Sequence, residues 1–242
     1  MNLPKIYTEE TWKKGGSVKE HKKFIGKPQI SWSQIESWRK AKGFSGMSGK
    51  KEYILKYFLG VDVAPAWLDA FGQFGSQVED YICFRKCTEV FSPHELKVLN
   101  TIKPLGLFQQ EVVVDLDDFV VLGYIDDMSK PKKKQTTIRD YKTKSQGGKK
   151  DLHDPDKLQL DLYIGGLHQR GLTVTSAEYI IIERLGGGEA MRGGGRRVLL
   201  VGDKVWNESY TFSQETINRA FKIARESANE ISNYYTVFKK LQ

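Results

Sequence analysis

The run Phe119-Val-Val-Leu-Gly-Tyr-Ile-Asp126, followed after a short break by Thr136-Thr-Ile-Arg-Asp-Tyr-Lys142, decides how the rest of the chain is read. Each segment is too short, and too rich in β-branched and aromatic residues, for a helix, so each reads as a strand. Pro131 and Lys132 to Lys134 make a polar turn between them. That predicts an antiparallel hairpin with Asp126 at the end of its first strand. Side chains alternate along a strand, so Asp140 and Lys142 share one face while Tyr141 points away. If the hairpin sets Asp126 beside Asp140, two like charges crowd together, and a cation between them makes the arrangement tolerable. Two carboxylates and an amine around a divalent ion and a water can cleave a phosphodiester.

An acid two residues before a lysine is a weak signal alone, since Glu20-His-Lys22 and Glu95-Leu-Lys97 share it. The surrounding elements add weight. A helix is predicted from Trp67 to Lys86, with Phe71, Phe74, Val78 and Ile82 at near-helical spacing. On it, Gly75 permits close approach to the sheet. Glu79, one turn later, either faces the metal as a third carboxylate or is a solvated glutamate. Asp154-Pro155 reads as a cap and first helical residue. In the helix it opens, Gln159 and Tyr163 lie four apart and project from one face. They either hold substrate near the metal or belong to an ordinary amphipathic helix.

Taken in order, Gly75-Ser-Gln-Val-Glu79, Gly123-Tyr-Ile-Asp126, Asp140-Tyr-Lys-Thr143 and Gln159-x-x-x-Tyr163 resemble the motifs of the RecB-like branch of the PD-(D/E)XK nuclease superfamily. That branch includes AddB nuclease domains and CRISPR-associated RecB-like exonucleases. Ser31-Trp-Ser-Gln-Ile-Glu-Ser-Trp38 looks like the Ser-x-Ser-x-Leu opening of such domains, and the likeness covers residues 31 to 205. The resemblance implies one or two Mg²⁺ or Mn²⁺ ions held by Glu79, Asp126, Asp140 and the backbone carbonyl of Tyr141. It implies that Lys142 orients or helps deprotonate the attacking water, and that Gln159 and Tyr163 position the substrate. The activity implied is that of a metal-dependent DNA nuclease, foremost an exonuclease of recombination, repair or phage DNA processing. An endonuclease acting on DNA or RNA is one alternative. A catalytically inactive nucleic-acid-binding module is another, against which the intact Asp126, Asp140 and Lys142 argue.

The remaining chain fits around this centre. The 242 residues are expected to form a basic, flexible arm over 1–30 and a single domain over 31–242. Strands are expected at Gln109–Asp115, Thr173–Glu183 and Arg197–Val205. A terminal helix over 212–240 carries Ile217, Ala220, Phe221, Ala224, Ala228, Ile231 and Tyr235 on one stripe. The implied fold class is α/β, a restriction-endonuclease-like core with a central mixed sheet of about five strands flanked by helices. A net charge of +8 and a pI of 9.2 suit an anionic partner such as DNA. Lys144, at the start of a basic loop ending at Lys150, and Arg192, Arg196 and Arg197 in a glycine-rich hairpin tip are candidate contacts for it. No apolar leader and no apolar run approaching ~20 residues is found, so a cytoplasmic protein without a membrane span is expected. Cys83 and Cys87, the only cysteines, are too few for a four-cysteine cluster. They are expected to be reduced and helix-packed, with no iron–sulfur cluster; zinc bound with His94 is the alternative. Nothing in the residues encodes an oligomeric state.

Overall fold

The segments richest in β-branched residues assemble the centre of the molecule. The computed structural model describes residues 5–6, 22–44, 56–57, 66–145, 154–186 and 199–240. Its strands are β1 (Lys5–Ile6), β2 (Pro28–Ser31), β3 (Gly106–Asp115), β4 (Val120–Ser129), β5 (Gln135–Ser145), β6 (Thr173–Leu185) and β7 (Leu200–Tyr210). They form one mixed sheet of seven strands in the order β1-β2-β4-β5-β6-β7, with β3 also paired to β4. The β2–β4 and β5–β6 pairs are parallel and the others antiparallel. Among the described residues, five α-helices flank it: α1 (Trp32–Phe44), α2 (Ala66–Phe84), α3 (Pro93–Leu99), α4 (Asp154–Gln169) and α5 (Gln214–Lys240). None of the described helices is long and apolar enough to cross a membrane.

The α/β class is as expected, but the sheet exceeds five strands because β1 and β2 come from residues expected to lie in a flexible arm. Pro28-Gln-Ile-Ser31 is short and mostly polar, and only Ile30 is buried. It becomes a strand by lying parallel to Val120–Leu122 of β4, a long-range pairing that no local pattern announces. Ser31 then caps α1 reciprocally: the Gln34 N–H donates to Ser31 Oγ at 3.3 Å, and the Ser31 N–H donates to Gln34 Oε1 at 2.8 Å. Trp32, Ile35 and Trp38 face inward.

Among the described residues, two large clusters cover most of the sheet. The main one gathers Val112, Val114, Val121, Ile125, Ile138, Tyr179 and Ile181 beneath Leu160, Ile164 and Leu167 of α4 and the Ile217, Ala220, Ala224 and Ala228 stripe of α5. The second sets Phe74, Val78 and Ile82 of α2 and Leu99 of α3 against Tyr141, Ile180 and Ile182. Gly75 is not a close approach after all. A methyl group there would meet only Thr143 Oγ1, at an ordinary 3.9 Å. Cys83, next to last in α2, is a buried free thiol; Cys87 lies beyond the helix, half-buried, with a left-handed φ of 59°.

Two irregularities define the hairpin. β3 runs along one edge of β4 for its whole length, so β2 and β5 share the other edge. β2 takes Val120–Leu122 and β5 takes only Asp127 and Met128, so Gly123 to Asp126 have no strand beside them on that edge among the described residues. At the far end, Lys132 and Gln135 exchange backbone hydrogen bonds around a two-residue turn. Its central residues, Lys133 and Lys134, both have left-handed φ, at 50° and 65°. Such turns favour Asn-Gly, and a side chain with a Cβ costs roughly 1 kcal/mol at each position.

Candidate active site

Asp126 and Asp140 meet at the mouth of the gap in the sheet. The β4–β5 ladder pairs Asp127 with Arg139 and then stops, so the next opposed residues are Asp126 and Asp140. Where a ladder bond would continue, the Tyr141 N–H donates instead to Asp126 Oδ2 at 2.8 Å. The pleat changes phase at this point. Val121, Ile125 and Met128 pack into the main cluster, whereas Asp127 bonds to Tyr141 of the second. Opposite Asp126, Gln109 has a left-handed φ of 48°. Asp126 thus lies within a strand that continues to Ser129, rather than at its end as expected.

The electrostatics are those of crowded carboxylates. Burial, then Asp140 and Glu79, push the Asp126 carboxyl well above its usual range, while Lys142 and the Tyr141 N–H pull it down. Glu79 is pushed up to about 7 by burial first, then by Asp140 and Asp80. The Lys142 ammonium lies 2.8 Å from Asp140 Oδ2, and that buried oxygen accepts no hydrogen bond of good geometry. Asp140, Lys142 and Lys144 share the face that alternation predicts, with the Tyr141 ring on the other.

Tyr163, on α4, closes the site from the other side. It is buried against Gly123, where a methyl group would overlap its ring and hydroxyl. The Gln159 amide donates to its hydroxyl at 3.3 Å. Burial first, and then the field of Asp140, push the Tyr163 phenol up to about 12, against the Gln159 hydrogen bond, which pulls it down. The four sequence blocks therefore reach one place in space.

Glu79 stands in the same field, but its carboxylate accepts a hydrogen bond from the Gln109 amide. Among the described residues no three carboxylate, imidazole or thiolate groups gather at metal-ligand spacing. His94 is engaged by Asp203 at 2.6 Å. The remaining set still fits a hard divalent ion. Mg²⁺ commonly takes one or two carboxylates and completes its shell with water and phosphate, and the Asp126 and Asp140 carboxylates are oxygen donors crowded together with, among the described residues, a single nearby ammonium, that of Lys142, to offset them. Lys144 lies at the end of β5. Arg192, Arg196, Arg197 and the loop after Ser145 lie outside the described residues.

No protein-family model matches the chain, and no curated protein matches it. Solved structures do. One from Eubacterium rectale, named "Putative exonuclease", superimposes with a TM-score of 0.52 at 12% identity, covering 93% of this chain and 85% of its own. Another, named SSO0001, gives a TM-score of 0.37 at 11% identity over 87% and 80%. The first likeness establishes a shared fold.

Sequence reasoning missed Asp127. It is fully buried and accepts from the N–H groups of Leu105 and Gly106 at 2.7 and 3.0 Å and from the Tyr141 hydroxyl at 2.8 Å. Arg139 lies 3.9 Å away, bonded in turn to Glu178 and the Lys103 carbonyl. Asp126 therefore holds the backbone of Tyr141 and Asp127 its phenol. The Asp-Asp doublet was the visible signal, but its meaning depends on three distant donors.

Proposed function

We propose that this chain is a metal-dependent nuclease that hydrolyses phosphodiester bonds, and within that class a DNA exonuclease of the RecB-like PD-(D/E)XK kind. One observation carries the reading: Asp126, Asp140 and Lys142 converge where β4 and β5 part, with Tyr163 and Gln159 across the gap. The fold shared with a protein named as an exonuclease supports it.

Asp126, Asp140 and the Tyr141 carbonyl would hold Mg²⁺ or Mn²⁺, and Glu79 would add negative charge from beside them. A divalent ion there supplies Lewis acidity toward a phosphate oxygen and lowers the pKa of a water into the neutral range. Lys142, held at Asp140, orients that water and offsets charge that develops on the phosphate. Gln159 and Tyr163 hold the strand in line for attack. Lys144 and, on the glycine-rich segment, Arg196 and Arg197 would contact flanking phosphates. The role proposed with it is the processing of DNA ends in recombination, repair or phage DNA processing, inside the cell.

The test is incubation with Mg²⁺ or Mn²⁺ and end-labelled single- and double-stranded DNA. Asp126→Ala, Asp140→Ala and Lys142→Ala should each abolish cleavage while leaving a folded, DNA-binding protein. Full activity in Asp140→Ala would overturn the assignment. An exonuclease spares covalently closed circles; cutting them points to an endonuclease on the same centre.

A further inference from the structure

We propose that the tip of the β4–β5 hairpin, Lys130 with Lys132, Lys133 and Lys134, is a contact for nucleic-acid backbone at a distance from the reacting phosphate. The inference deepens the nuclease reading and rests on it for the identity of the polyanion. All four lysines are exposed. None of them forms an ion pair or side-chain hydrogen bond among the described residues. A solvated charge run would look the same so far.

The backbone separates the two cases. Lys133 and Lys134 occupy the central positions of the turn, both with left-handed φ, where Asn-Gly would fit without strain. Their side chains repay that strain with no packing, since both are exposed. The one tertiary bond, from the Thr173 N–H to the Lys134 carbonyl at 2.7 Å, belongs to the backbone and any residue would make it. What lysine adds here is charge. Strain kept at a surface position without a structural return points to function.

The geometry suits a polyanion already engaged at the candidate site. Lys130 directly follows β4, four residues from Asp126, and Lys134 directly precedes β5, six residues from Asp140. At about 3.3 Å per residue these are spans of about 13 and 20 Å, or about four to six phosphates at the 3.4 Å duplex rise. Free lysines at that range would bind backbone phosphates by counterion release and read no sequence.

The experiment uses the full chain carrying Lys133→Asn and Lys134→Gly. A labelled duplex oligonucleotide is titrated in EDTA, so nothing is cleaved, across a salt series, and thermal unfolding is followed in parallel. The expected result is a higher melting temperature together with affinity about tenfold weaker and a salt-dependence slope shallower by about 1.5. Unchanged affinity and slope overturn the proposal, as does a melting temperature that fails to rise, because the lysines would then carry no cost to explain. Wild-type protein that cleaves DNA beside a variant that binds normally sinks this proposal alone. A binding defect in a protein that never cleaves sinks the nuclease reading and leaves the contact standing.

Discussion

Replacing Gly123 with alanine probes the seating of α4 on the gap. The added methyl would fall on the Tyr163 ring and hydroxyl, well inside the 3.0 Å that real Cβ contacts essentially never breach. The ring cannot swing into solvent, because only 4% of Tyr163 is exposed. Nor can α4 readily slide along β3, because a Cβ at its Gly166 would already meet Val112 and Val114 at 2.8 and 2.9 Å. Overpacking of this kind costs about 2 kcal/mol, and losing the Gln159–Tyr163 hydrogen bond adds about 1 kcal/mol. For a protein of this size that lowers the melting temperature by about 6–12 °C. Calorimetry or circular dichroism reads it directly. A second substitution, Tyr163→Leu, shrinks the obstructing side chain and should recover at least half of the loss, while cleavage stays impaired because the hydroxyl is gone. A single variant that melts within about 2 °C of wild type would refute the packing argument, and so would a double variant no more stable than the single.

Two further outcomes follow from groups near the site. Asp127→Ala strands the N–H groups of Leu105 and Gly106 and the Tyr141 hydroxyl, and should lower unfolding free energy by about 3–5 kcal/mol; urea denaturation showing a loss below about 1 kcal/mol would contradict it. The second concerns pH in metal-free protein. Glu79 ionises at about 7 when folded against 4.5 ordinarily, so below 4.5 both states are protonated and its folding contribution is unaffected. As pH rises from 4.5 to 7 the unfolded chain releases the proton first, and the folded state loses stability. Glu79→Gln removes that loss and can still accept from Gln109. Its stability advantage should grow from near zero at low pH to about 1–2 kcal/mol above pH 7; a gap that does not vary with pH would be the contrary result.

The parts of this molecule that could be read from sequence are those governed by local periodicity. Alternation put Asp140 and Lys142 on one face of β5, and helical spacing set Gln159 beside Tyr163 and drew the apolar stripe of α5. What could not be read depends on partners far along the chain. Pro28–Ser31 is a strand only because Val120–Leu122 lies beside it. The burial of Asp127 is tolerable only because Leu105, Gly106 and Tyr141 supply donors. The turn at Lys133-Lys134 lacks the Asn-Gly signature of its geometry, so its conformation was hidden while its polarity was plain. Glu79 sits on the expected helix, but its bond to Gln109 depends on an irregularity in β3.

The shared edge of β4 also bears on how the protein can be handled. A chain shortened to begin at Trp32 would strip β2 away and bare the main-chain groups of Val120, Val121 and Leu122, three buried apolar residues in a row. An uncovered apolar strand invites annealing with other copies, so trimming the N-terminal segment to tidy the domain would trade solubility for brevity.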